Sequence, residues 1–111
     1  MDDAEILSRL IEFIRKSHRV SPKVKITSET LLEFDLGITG DDGVELIEAI
    51  EQEFGVSFVG LDGSYREAFD LEDGQRLFHG ESFGAMLSEK NVVKLSVGQL
   101  LNAILKVKKK S

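Results

Sequence analysis

The segment DAEILSRLIEFIRKSH sets Ile6, Leu7, Leu10, Ile11 and Ile14 three or four positions apart and leaves Glu5, Arg15 and Lys16 on the other side. A helix gathers that spacing onto one face, because it turns once every 3.6 residues, whereas a strand alternates every second residue. Asp2 or Asp3 is suited to cap its start, so the spacing predicts a helix over about residues 3–17. The same rhythm returns twice. Val44, Leu46, Ile47, Ile50 and Phe54 form a stripe behind TGDD, and Val97, Leu100, Leu101, Ile104 and Leu105 form one behind Ser96, a second capping residue. Three apolar stripes on helices bury one another most simply in an all-α bundle.

The connections are less regular. About 20 residues, RVSPKVKITSETLLEFDLGI, separate the first two helices and contain the lone proline, Pro22. A loop this long inside a small domain is expected to pack across the fold. Val20, Val24, Ile26, Leu31, Leu32, Phe34, Leu36 and Ile38 are its expected apolar anchors, with a helical turn near Thr30–Glu33. Thr39 is expected to cap the second helix, with Asp42 at the capping-box position. Asp41 and Asp42 lie in the first turn, where negative charge is favourable. Gly43 weakens the helix interior, and Gly55 suits its left-handed end. Beyond it, VSFV reads as a short strand or an extended segment. SYREAFDL reads as a short helix capped by Ser64 with Glu67 at the box position, and GESFGAMLSEK as a further turn. Three to four helices, a long first loop and an extended segment before the last helix are therefore expected in one domain over 1–111.

Composition narrows the function. Among 111 residues, 41% are hydrophobic and 31% charged, as in a soluble globular chain. No apolar run reaches the roughly 20 residues of a membrane span, and MDDAEILSRL lacks the layout of a signal peptide, so a cytoplasmic location is expected. The absence of cysteine excludes disulfides and thiolate chemistry. A net charge of −6 argues against nucleic-acid binding, which draws on cations, and favours a basic protein partner. Residues 41–53 hold six acids and no base, whereas KVKKK at 106–110 complements the end of a helix dipole.

No catalytic constellation emerges. His18 and His79 stand in no recognisable motif, and acids along an exposed helix face lack the burial that tunes a general acid or base. Gly37, Gly40 and Gly43 around a helix start invite comparison with a phosphate cradle, but the spacing fits no such motif and Asp41 and Asp42 would repel the anion. An EF-hand reading from Asp35 fails because Gly37 and Leu46 fall on required ligand positions. A looser site from Asp41, Asp42 and Glu45 has only a plain acidic turn behind it. No enzyme and no metal site are expected.

The stretch ITSETLLEFDLGITGDDGVELIEAIEQEFGVSF resembles the central segment of acyl carrier proteins. The resemblance rests on Ile26, Thr27, Leu32, Asp35-Leu36-Gly37, Asp42, Val44-Glu45-Leu46, Ala49, Glu51 and Glu53-Phe54-Gly55. The junction Leu-Gly-x-Thr-Gly-Asp-Asp is similar to that of a small bacterial acyl-carrier-like group of unsettled function. The resemblance implies a carrier-like bundle. It also places Gly40 where the family has the serine that bears phosphopantetheine, and Asp41 where it has an apolar leucine. Glycine has no hydroxyl to phosphorylate, so the cofactor is not expected, and Thr39 is the one neighbouring hydroxyl.

These readings converge on a non-carrying, acyl-carrier-like interaction or regulatory module. It would present Asp41, Glu45 and Glu48 on its second helix to a basic patch of a protein partner. Glu45 matches a recognition position of the family, and Glu48 replaces an apolar one. The alternatives are a true carrier modified at a non-standard position such as Thr39, and a small immunity or regulatory protein reusing the bundle.

Overall fold

The computed structural model describes residues 2–60, 63, 65–71, 77 and 93–110, with 109 and 110 as backbone only. Among these residues four helices follow in chain order: α1 (Asp3–Ser17), α2 (Gly40–Phe54), the one-turn α3 (Arg66–Phe69) and α4 (Val97–Lys110). The fold is all-α, as the periodicity predicts. α1 packs on both α2 and α4, and α4 packs on α3 as well.

The three expected stripes build the core. Ile6, Leu10 and Ile14 of α1 meet Leu46, Ile47, Ile50 and Phe54 of α2, together with Val97, Leu100, Ala103 and Ile104 of α4. Each large apolar side chain among them contributes about 1.5–3 kcal/mol when fully removed from water. Of the expected loop anchors, Ile26, Leu32 and Ile38 are buried, and Val20 and Leu36 pack partly against the core. Val24 and Phe34 do not anchor: they are 40% and 61% exposed. In the 56–59 segment Phe58 is buried while Ser57 and Val59 face solvent. Among the described residues no ladder forms there, so the extended reading holds and the strand reading does not.

Three helices end in the same way. Arg19, Gly55 and Asp70 adopt left-handed backbone at φ 49°, 65° and 54°. The next N–H in each case closes back over the helix end: Val20 to Arg15 O, Val56 to Glu51 O and Leu71 to Arg66 O, at 2.9–3.0 Å. This satisfies carbonyls that the helix leaves unpaired, while Val20, Val56 and Leu71 tuck against the core. Arg9 reinforces the end of α2. Its guanidinium donates to Glu53 O at 2.8 Å, approaches the Glu53 carboxylate at 3.3 Å and lies 4.6 Å from the Phe54 ring centre.

The starts differ from expectation in two cases. Asp2 caps α1 by accepting from Glu5 N at 2.8 Å, as expected. At α3 the N-cap position falls on Tyr65, whose side chain makes no cap bond, rather than one residue earlier on Ser64, which lies outside the described residues. At α2, Thr39 occupies the N-cap position but its side chain makes no cap bond. The turn expected in GESFGAMLSEK also lies outside the described residues.

The long loop is fastened to the start of α4. Leu32 N donates to Leu95 O at 3.0 Å, Val97 N to Thr30 O at 2.9 Å and Gly98 N to Ser28 O at 2.7 Å. Leu31 and Ser96 pair there as an isolated antiparallel bridge. Ser96 and Gln99 complete a reciprocal capping box: Ser96 N donates to Gln99 Oε1 at 2.8 Å, and Gln99 N to Ser96 Oγ at 3.1 Å.

Candidate functional site

The junction between the loop and α2 is organised by Asp35-Leu36-Gly37. Asp35 N donates to Leu31 O at 3.0 Å, and Asp35 Oδ2 accepts from Leu31 N at 2.7 Å, closing the 31–35 turn from both ends. Gly37, at φ 70°, then reverses the chain and donates to Glu33 O at 3.1 Å. A left-handed residue of this kind favours glycine, because a Cβ would crowd the following carbonyl. Ile38 N donates to Leu32 O at 2.9 Å, and Ile38 enters the core. The motif thus sets the angle at which the chain enters α2.

Thr39 does not cap. It is extended at φ −144° and ψ 170°, and its hydroxyl donates to the Glu33 carboxylate across the turn. Tertiary placement of Glu33 competes for the one hydroxyl at the junction and takes it from the helix. Gly40 follows as the first residue of α2 and is buried, with φ 56°. The helix opens with Gly43 N on Thr39 O at 3.3 Å. Gly43, expected as a weak point of the helix interior, is buried on the inner side.

On the outer side of α2, Asp41, Glu45 and Glu48 lie at solvent-facing positions of the helix, and all three are exposed. Their spacing of four and three residues puts them on one stripe of the helix. Glu51 serves the fold instead, since its Oε2 accepts from Phe58 N at 2.7 Å and pins the segment after the helix. From residue 26 to 53 the sequence contains no lysine or arginine. The exposed acids of α2 therefore have no base within the stretch 26–53 to offset their negative potential.

Other groups considered for chemistry are scattered. His18 follows the end of α1, half-buried, and its Nδ1 is enclosed without a hydrogen-bond partner among the described residues. His79 lies outside those residues. No three carboxylates or imidazoles among the described residues converge as metal ligands, so Asp41, Asp42 and Glu45 are not drawn together. A cleft of about 500 Å³ opens beside Val56, Phe58, Ala68 and Lys106. It sits at the far end of α2 from the junction. Lys106 is not a free tail lysine: it donates to Glu67 O and to Asp70 Oδ1, both at 2.6 Å, and fastens α3 to α4. Among the described residues no helix is long and apolar enough to cross a membrane.

No family model matches the chain. Over 71 residues it is 28% identical to acyl carrier protein 2, mitochondrial, of Arabidopsis thaliana, across 64% of this chain and 56% of that protein. The matched stretch thus spans little more than half the length of the relative. That relative is an acyl carrier protein. What sequence and fold support together is an all-α, acyl-carrier-like chain.

Proposed function

We propose that this chain is a single acyl-carrier-like domain over 1–111 that carries no phosphopantetheine and acts as a non-enzymatic interaction or regulatory module in the cytoplasm. The observation that carries the proposal is the division of α2 into two sides. Gly40, which the resemblance to acyl carrier proteins aligns with the attachment serine, is buried and has no hydroxyl, while Asp41, Glu45 and Glu48 line one stripe on the solvent side. The engagement of the Thr39 hydroxyl by Glu33 supports the same reading against modification at Thr39. A partner presenting lysines or arginines would be steered to this stripe, and rim charges of this kind govern encounter rate and specificity.

Two measurements test it. Incubation with a broad-specificity phosphopantetheinyl transferase and coenzyme A, followed by intact-mass spectrometry, should leave the mass unchanged. A gain of one arm sinks the non-carrying reading. Affinity capture from the native cell should then be lost in the Asp41→Lys, Glu45→Lys, Glu48→Lys variant and weakened in the variant with Asn, Gln and Gln at those positions. Circular dichroism must first show both variants folded, because lysine in the first turn costs the helix about 0.3–1 kcal/mol. Unchanged capture by the folded reversal variant refutes the role of the stripe.

A further inference from the structure

We infer that the junction is closed to an attached arm by its backbone as well as by its missing hydroxyl, Gly40 being a conformational requirement of the fold. The inference rests on the reading above that Gly40 holds the attachment position. It goes further by assigning the closure to main-chain geometry, which a serine does not undo.

Two observations carry it independently. The first is the dihedral. Gly40 has φ 56° at the opening residue of α2, where a helical residue ordinarily has a φ of about −63°. An L-residue at 40 has two options. It can stay left-handed, with Cβ pressed against the following carbonyl oxygen. Otherwise it can swing back by about 120° in φ to the usual helical value. That swing re-aims the chain immediately before it. Thr39, whose hydroxyl is held by Glu33, and Ile38, 3% exposed in the core, would both have to move. The second observation is burial. Gly40 is a buried residue of α2 although its neighbours Thr39, Asp41 and Asp42 are exposed. A side chain at 40 starts inside the protein, whereas an arm must leave from a hydroxyl that a transferase can reach.

The junction is therefore not a carrier site one substitution away from function. The experiment compares the wild-type chain with Gly40→Ser, with Gly40→Ser combined with Asp41→Leu, with Gly40→Ala and with Gly40→Asn. The double variant supplies both residues of the family's dipeptide, so failure of modification cannot be ascribed to Asp41. Each is incubated with the transferase and coenzyme A beside an authentic carrier protein, and read by intact mass and by thermal unfolding. The expected result is no arm on wild type, and on both serine variants a rate at least about a hundredfold below the authentic carrier. Tm should fall by about 4–8 °C for Ser and Ala. Asn should fall less than Ala, because it tolerates left-handed backbone.

An arm on the wild-type chain overturns the non-carrying reading itself. An unmodified wild type with either serine variant modified within about tenfold of the carrier overturns only the present inference. So does an unchanged Tm in the serine and alanine variants, since the claimed cause is conformational. If the serine variants do not fold, the order of Ala and Asn decides. Asn less stable than Ala points to side-chain volume and overturns the assignment to φ.

Discussion

Replacing Gly98 by alanine separates helix propensity from tertiary fit, because the two predict opposite signs. Gly98 lies in the first turn of α4, where alanine alone gains up to about 1 kcal/mol over glycine. A Cβ at 98 would stand 2.9 Å from Ser28 O and 3.4 Å from Ser28 Cβ. The closer atom is main chain and cannot rotate away. Ordinary contact begins near 3.4 Å, so the loop must retreat by about 0.5 Å. That retreat stretches the Gly98–Ser28 hydrogen bond from 2.7 Å to about 3.2 Å, the edge of good geometry. The loop is not free to give, because the Leu32–Leu95 and Val97–Thr30 bonds hold the same segment. Overpacking of this kind costs about 1–3 kcal/mol. Set against the propensity gain, Gly98→Ala should destabilise by about 1 kcal/mol, with the m-value unchanged. Urea unfolding followed by far-UV circular dichroism measures it directly. A midpoint equal to or above that of wild type refutes the close approach of loop and helix.

Two further substitutions test the fastening of α4. Ser96→Ala removes one half of the Ser96–Gln99 box and should cost about 1 kcal/mol in the same urea assay, whereas an unchanged midpoint means the box does not form in solution. Lys106→Met should cost about 0.5–1.5 kcal/mol, mostly through the bond to Glu67 O, because the Asp70 side chain is 82% exposed and its ion pair is screened. Amide hydrogen exchange at Phe69 and Leu71 should quicken in that variant, and unchanged protection would show that Lys106 does not hold α3.

What was legible in the sequence, and what was not, divides by the range of the forces involved. α1, α2 and α4 follow from periodicity, since the residues that define each apolar face lie within a few turns of one another. Gly55 was readable as a left-handed helix end because glycine advertises that backbone. Arg19 and Asp70 take the same conformation without advertising it. Their geometry is set by the apolar residue that follows each, Val20 and Leu71, seeking the core. Thr39 looked like a cap from its neighbours in sequence, but Glu33, brought round by the 31–35 turn, holds its hydroxyl instead. Phe34 is apolar and was expected inside, yet Leu32 and Leu36 on the same turn point inward and leave it at the surface, with Lys94 Nζ 5.7 Å from its ring centre. The outward placement of Asp41, Glu45 and Glu48 agrees with their spacing. The left-handed φ of Gly40 had no local signal, because a glycine in a sequence reads equally well as a missing side chain.

The fastening of the loop to α4 also bears on how the chain acquires its fold. Leu32 bonds to Leu95, 63 positions later, and Ser28 to Gly98, 70 positions later. Joining segments that far apart draws on chain entropy before any contact repays it, and such topologies fold more slowly than bundles closed by neighbouring helices. During synthesis α1 and α2 are complete well before residues 95–98 exist. Until then Ser28 O, Thr30 O and Leu32 N have water as their partner, and the stretch before Asp35-Leu36-Gly37 is not fastened to α4. The turn bonds of the junction are local, so what waits for α4 is the attachment of that turn to the rest of the bundle.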